Sequence, residues 1–131
     1  MTETDRELRA LQEVELDLLH RFDEICRREN LRYFLLGGSA LGAVRHGGFI
    51  PWDDDIDVGM PRPDYERFLR IAPPLLPSHL FLQDYHSEPA YLLSFAKLRD
   101  DRTLFKEKLF AGLDIHHGVY MDIFPLDGGP A

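Results

Sequence analysis

Leu8, Leu11, Val14, Leu18, Phe22 and Ile25 recur at steps of three and four, with Glu7, Glu13, Asp17, Arg21 and Arg28 at polar positions between and beyond them. That spacing matches the helical period and predicts a long amphipathic helix at the N-terminus. Thr4 followed three residues later by Glu7 reads as a capping box, and Asn30 as the stop. Beyond Asn30 the pattern shortens. Arg32 to Leu36 reads as a strand, Gly37-Gly38-Ser39 as a turn, and Ala40 to Arg45 as a short helix broken by His46-Gly47-Gly48. Asp55-Ile56-Asp57-Val58 alternates polar and apolar like a strand, closed by Pro61 and Pro63. Asp64 to Ile71 reads as a helix stopped by Pro73-Pro74. Leu80 to Gln83, Leu92 to Leu98 and Val119 to Phe124 are candidate strands, and Lys106 to Leu113 is a helix or an ordered loop. This order predicts an α+β fold of α/β-like character, a mixed β-sheet with flanking helices and a long N-terminal helix.

Bulk properties narrow the choice. The 131 residues suit a single domain, residues 1–131, with 44% apolar and 29% charged residues, ordinary values for a globular chain. Twenty-three acids against 15 bases give a net charge of −8. That excludes an electrostatic nucleic-acid binder, which needs a basic face. A nucleotide as small substrate stays open, because a metal ion can supply positive charge. The single cysteine, Cys26, rules out an internal disulfide and reads as a buried helix residue. Met1-Thr2-Glu3-Thr4-Asp5 lacks the basic and apolar regions of a signal peptide. No apolar run approaches the roughly 20 residues a membrane span requires. A cytoplasmic location is expected. The sequence ends at Asp127-Gly128-Gly129-Pro130-Ala131, in a turn directly after a strand, so a catalytic core lacking a C-terminal portion is also expected.

The chemistry concentrates in Asp53-Asp54-Asp55-Ile56-Asp57. Asp55 and Asp57 are two apart on a predicted strand and so project to one side. Two carboxylates roughly 4 to 6 Å apart repel by about 3 to 4 kcal/mol at an effective dielectric near ~20. A divalent cation relieves that, and hard Mg²⁺ (or Mn²⁺) suits oxygen ligands while keeping positions open for phosphate. A solvated acidic loop is the bland alternative, but Trp52, Ile56, Val58 and Met60 flank the run. An EF-hand loop fails, because Val58 stands where glycine is needed and Asp64 where glutamate is. An Asp-x-Asp-x-Thr phosphatase motif fits poorly, because Trp52-Asp53-Asp54 precedes the pair and Gly59 follows. Upstream, Gly37-Gly38-Ser39 leaves a strand and opens a helix, an arrangement that lets backbone N–H groups approach a phosphate. Alone, such a turn is ordinary; an acidic strand downstream makes it a candidate phosphate cradle. Arg45 is a candidate phosphate clamp or a surface arginine. His46 reads as a structural hydrogen-bonding residue. Gly47-Gly48-Phe49-Ile50-Pro51-Trp52 is a rigid loop that could sit over a nucleotide.

The run from Leu36-Gly37-Gly38-Ser39-Ala40-Leu41-Gly42 through Ala43-Val44-Arg45-His46-Gly47-Gly48-Phe49-Ile50-Pro51-Trp52 to Asp53-Asp54-Asp55-Ile56-Asp57-Val58-Gly59-Met60 closely resembles the signature of the LicD family of phosphocholine transferases. Fukutin-related transferases are more distant. The resemblance continues in Asp64-Tyr65-Glu66-Arg67-Phe68, Lys97-Leu98-Arg99-Asp100 with Thr103, and Tyr120-Met121-Asp122-Ile123-Phe124-Pro125-Leu126-Asp127. It implies a nucleotidyltransferase-type fold with a Gly-Ser turn, an Asp-x-Asp strand and a third acid on a later strand. Gly38 and Ser39 match the turn, Asp55 and Asp57 the pair, and Asp122 the third acid. Tyr120, Asp122 and Phe124 share one predicted strand face. The implied activity is transfer of phosphocholine from CDP-choline to a sugar hydroxyl of a surface polysaccharide, lipopolysaccharide or teichoic acid. Asp55, Asp57 and Asp122 would be catalytic residues and metal ligands. Lys97 and Arg99 alternate onto one strand face and are either phosphate-holding or simply exposed bases. Another CDP-linked phospho-alcohol, such as ribitol phosphate, is an alternative donor. A choline head would want an aromatic cage, for which Trp52, Tyr85 and Tyr91 are available.

Two other functions stay in view. One is a non-catalytic nucleotide- and metal-binding remnant or a module that depends on a partner subunit. The other is a true nucleotidyltransferase that uses a nucleoside triphosphate.

Overall fold

A computed structural model describes residues 3–37, 39, 42, 55–84, 87–88, 93–100 and 118–127. Helix α1 runs Glu3–Arg28 and strand β1 Phe34–Leu35. Strand β2, Asp57–Pro61, leads into helix α2, Arg62–Ile71, and a 3-10 turn at Pro73–Leu75. Strands β3 (Leu80–Gln83), β4 (Ala96–Asp100) and β5 (Val119–Leu126) follow among the described residues. The strands form one mixed sheet of order β1-β2-β5-β4-β3. Only β2 and β5 pair in parallel; the other neighbours are antiparallel. The α+β expectation of a mixed sheet with flanking helices and a long N-terminal helix holds.

Helix α1 presents Leu18, Phe22, Ile25 and Cys26 to the core, one stripe at helical spacing. Its end is a Schellman motif. Leu31 N donates to Cys26 O (2.8 Å) and Asn30 N to Arg27 O (3.4 Å), with Asn30 at φ 57°. Asparagine tolerates that left-handed geometry better than most residues, so the predicted stop at Asn30 has a mechanism. The helix is described from Glu3, so Thr4 lies within its first turn and not before it as the capping-box reading expected.

Helix α2 begins at Arg62, two residues earlier than its pattern suggested, because Pro63 falls in the first turn where no backbone N–H is needed. Asp64 in that turn and Arg70 in the last turn complement the helix dipole. Phe68 packs edge-on against Phe22 at 5.0 Å, and Phe22 meets Tyr33 the same way at 4.9 Å. Each such pair adds about 0.5–1.5 kcal/mol beyond burial alone. Both helices lie against the strands, α1 chiefly on β5 and β4, α2 on β2 and β5. Ile56, just before β2, and the strand residues Val58, Met60, Leu80, Leu82, Ala96, Leu98, Met121 and Ile123 join this core.

Three predicted strands shift. The first is confined to Phe34–Leu35 because the Arg32 N–H is taken by an Asp64 carboxylate oxygen at 2.7 Å instead of a strand neighbour. The second starts at Asp57, so Asp55 stands two residues before it. The third begins at Ala96, after a bend at Ser94 and Phe95. The predicted helices at Ala40 to Arg45 and Lys106 to Leu113 lie outside the described residues, apart from Gly42. Among the described residues no helix is long and apolar enough to cross a membrane.

Candidate active site

The sheet has two faces, and alternation assigns each residue to one of them. Asp57, Tyr120, Asp122, Phe124, Lys97, Arg99, Phe81 and Gln83 fall on the face turned away from the apolar core. Register then does what linear sequence cannot. Asp57 is the Cα partner of Asp122, Asp122 of Lys97, and Lys97 of Gln83. One row therefore crosses β2, β5, β4 and β3, carrying two acids, an amine and an amide in order.

The turn upstream is tied to the head of this row. Leu36 N donates to Asp57 O at 2.9 Å, and Asp57 N donates to Ser39 Oγ at 3.0 Å. Ser39 N in turn donates to Leu36 O at 3.1 Å. Gly37 makes the turn at φ 53°, a left-handed conformation that costs glycine little. Asp122 N donates to Ile56 O at 3.0 Å, which locks β5 beside the acidic segment. Asp55 and Asp57 are both half-buried and flank the buried Ile56, so the alternation extends back to Asp55 although the ladder does not.

The two basic residues are not exposed strand bases. Lys97 is 2% exposed and Arg99 1%. Lys97 Nζ lies 2.5 Å from Asp122 Oδ1 and 3.6 Å from the centre of the Tyr120 ring. Arg99 Nε donates to Gln83 Oε1 at 2.8 Å, its Nη1 to the Gly118 carbonyl at 2.5 Å, and its guanidinium lies 4.7 Å from the same Tyr120 ring. The expectation that both could hold phosphate gains no support from contacts of this kind; both are spoken for by the protein. Gln83 and Tyr120 escaped notice as site residues. An amide at the end of an otherwise apolar Leu80–Gln83 strand was the available signal for Gln83. Gly38, Arg45, Trp52, Tyr85 and Tyr91 lie outside the described residues.

Among the described residues, the set of three metal-type ligands whose atoms lie within 4.8 Å of one another is Asp17, His79 and Asp100, on the helix-covered face. Asp55, Asp57 and Asp122 are not gathered in that way, and Asp122 instead contacts Lys97. Two surface clefts of about 420 and 180 Å³ include neither Asp57 nor Asp122 in their walls. The carboxylate row is thus a product of strand register.

Elsewhere, charge serves the frame. Arg32 binds the Asp64 carboxylate through its backbone N–H and guanidinium, which holds the Asp64 carboxyl below the ordinary range. Arg62 does the same for Asp127 through two hydrogen bonds of 2.7 and 3.0 Å. Burial, with Asp23 and Asp64 nearby, pushes the Cys26 thiol up to about 12, so it is no nucleophile near neutral pH.

With this geometry in hand, the known relatives become informative. A family profile described as LicD/FKTN/FKRP, nucleotidyltransferase domain, matches residues 30–126, which include the Ser39 turn and the whole Asp57–Gln83 row. The chain belongs to this family. It is 39% identical over 124 residues to the lipopolysaccharide cholinephosphotransferase LicD of Haemophilus influenzae, covering 94% of this chain and 45% of that protein. A segment of 30 residues, 23% of this chain and 6% of the relative, is 63% identical to the ribitol 5-phosphate transferase FKRP of human and mouse. The chain thus spans about half the length of the Haemophilus relative. The family resemblance read from the glycine turn and acidic strand is correct.

Proposed function

We propose that this LicD-family chain carries the catalytic core of a metal-dependent transferase. Its reaction would move phosphocholine, or a related phospho-alcohol, from a CDP-linked donor to a sugar hydroxyl of a cell-surface glycan such as lipopolysaccharide. The observation that carries the reading is the register of Asp57 against Asp122 on one sheet face, beside the Ser39 turn. The two named relatives handle different alcohols, choline and ribitol, but each name denotes a phospho-alcohol transferase. Teichoic acid is an alternative acceptor class, and the reading places the chain in the cytoplasm, where a CDP-linked donor would be met.

The donor chemistry of these residues suits a hard divalent cation, although Asp55, Asp57 and Asp122 do not converge as one ligand cluster in this structure. Asp57 and Asp122 offer oxygen donors from adjacent parallel strands, Asp55 stands close in sequence, and Asp122 already attracts one cationic group, the Lys97 ammonium. Mg²⁺ held by Asp55, Asp57 and Asp122 would supply Lewis-acid neutralisation of the donor diphosphate and of the charge developing on the CMP leaving group. The chain's own contribution is position. Ser39 fixes the Asp57 backbone, and Ile56 fixes that of Asp122, so the two carboxylates approach a substrate from fixed directions. One of them, turned toward the acceptor, would orient or take up the proton of the sugar hydroxyl. Glycine at 37, in its left-handed conformation, would leave the turn open to a phosphate oxygen.

Incubation with Mg²⁺ and CDP-choline, with and without lipopolysaccharide, tests this through CMP release. Acceptor-dependent CMP is expected. A folded protein that releases none, and whose Asp57→Ala variant binds CDP and Mn²⁺ as the parent does, would sink the reading in favour of a binding module. Pyrophosphate release from a nucleoside triphosphate would instead indicate a strict nucleotidyltransferase.

A further inference from the structure

We infer that Lys97 is a positioning residue that sets the charge of the carboxylate site, so that the site accepts its cation together with a diphosphate and holds the cation poorly alone. The inference rests on the metal-dependent reading above. Its observations are its own.

Lys97 occupies an unusual place for an amine. It is 2% exposed, yet its Nζ is within 2.5 Å of an Asp122 oxygen that is itself only 14% exposed at the side chain. Tyr120 closes one side at 3.6 Å and Phe95 lies 5.3 Å away, so the amine is wedged between a carboxylate and aromatic faces. A buried ion pair of this kind is seldom a stability device, because apolar residues of similar volume often serve as well or better. The ammonium cannot travel out to grip a phosphate while it stays in that wedge. Its reach is electrostatic, and in a water-poor site that reach extends over several ångströms.

The charge balance shows what this does. Asp55, Asp57 and Asp122 would surround a divalent cation with three negative charges. Counting these groups and the Lys97 ammonium, before Arg99 is added, the loaded set is neutral; without Lys97 it is more negative by one charge toward an incoming diphosphate. Arg99, one strand position further along the same face, acts in the same sense from behind Tyr120. The same positive charge also repels a bare divalent cation. Lys97 therefore weakens binding of the metal alone and strengthens binding of the diphosphate; the attraction between cation and diphosphate, which is reciprocal, then makes each bind better with the other present.

A purely structural role for Lys97 would lower both affinities when it is replaced. A charge-setting role moves them in opposite directions, and this separates the two. The probes are Mn²⁺ alone, followed by its electron paramagnetic resonance, and CDP in the presence of Mn²⁺, followed by calorimetry. Lys97→Gln keeps a hydrogen-bond donor beside Asp122 without the charge. It should bind Mn²⁺ on the order of tenfold more tightly and CDP on the order of tenfold more weakly. Lys97→Arg, which keeps the charge, should stay near the parent in both. Lys97→Met repeats the charge test should the glutamine variant not fold. Weakening of both affinities, or a change in neither, overturns the role given to Lys97. If the parent and Asp57→Ala bind Mn²⁺ alike, the metal reading itself is at fault, an outcome distinct from the first.

Discussion

The two faces of the sheet are made by the same strands and obey the same alternation, yet they are filled by different rules. On the helix-covered face β2, β5, β4 and β3 place Val58, Met60, Met121, Ile123, Leu98 and Leu82, all buried and apolar. On the opposite face the same strands place Asp57, Asp122, Lys97, Arg99 and Gln83, and the last three are as buried as any core residue. Burial therefore does not distinguish the faces; the chemistry of what is buried does. An apolar face supplies free energy to the fold, whereas buried charge costs desolvation and needs a reason beyond stability. The lesson is that in this chain the apolar core and the proposed site fall on opposite sides of one sheet, a single residue apart along each strand. Asp100 is the exception. It is buried on the apolar side, where it lies near Asp17, in the middle of α1, and His79.

The division can be broken hardest from the polar side. Asp57→Asn should cut acceptor-dependent CMP release on the order of a thousandfold, comparable to removing a principal electrostatic stabiliser, with an unchanged melting curve. Equal rates in variant and parent would mean the acidic row is not where the reaction occurs. From the apolar side the pattern inverts. Phe22→Ala removes a fully buried ring that touches both Tyr33 and Phe68. Chemical denaturation should report a loss of about 3–5 kcal/mol, while CMP release per folded molecule stays at the parent value. A variant that keeps its stability but loses activity would erase the distinction between faces.

A smaller effect probes the boundary. A Cβ added at Gly59 would come within 2.8 to 2.9 Å of the Leu126 side chain. Because a flexible leucine end is the obstacle, Gly59→Ala should cost about 1 kcal/mol, at the low end for overpacking. Adding Leu126→Ala should make the Gly59→Ala step nearly neutral, and the double-mutant cycle measures the coupling. Additive effects of the two changes would show that the contact is not the cause.

How much of this was readable in the sequence follows from which information each feature needs. Helix α1 depends on local period and caps, so the Leu8 to Ile25 stripe and Asn30 suffice to find it. Strand Leu80–Gln83 was found with both ends correct, since an apolar run bounded by turn residues is also local. The start of α2 was missed because the sequence reading treated Pro63 as a terminator, while the fold uses it as a first-turn residue. Strand β1 was overestimated because no local pattern says that Asp64, 32 residues away, captures the Arg32 N–H. The site divides the same way. Alternation put Asp57, Asp122 and Lys97 each on a definite side of its own strand. Only the pairing of β2 with β5 and β5 with β4 puts them in one row. The reading of Lys97 as a phosphate holder or an exposed base failed to foresee Asp122 as its partner, because that contact is a consequence of register.

The smallest expected effect concerns the acids that hold the frame. Asp64 accepts hydrogen bonds from the Arg32 backbone at 2.7 Å and from its guanidinium at 3.1 Å, and its carboxyl is held below the usual carboxylate range by them. A carboxyl whose pKa is lower folded than unfolded binds fewer protons in the native state. Its stabilising contribution is therefore complete above the ordinary value near ~4 and is lost as pH falls toward its depressed native value. Asp127 is depressed in the same direction by Arg62, but both partners are largely exposed, so salt should screen that pair. Denaturant midpoints measured from pH 6 down to pH 3 should thus fall less steeply in Asp64→Asn than in the parent. Asp127→Asn should track the parent once 0.5 M salt is present, where the screening length is about 4 Å. A steeper acid limb in Asp64→Asn would mean that the carboxylate does not hold the α1–β1 connection to α2. The link between the two elements would then rest on apolar packing alone.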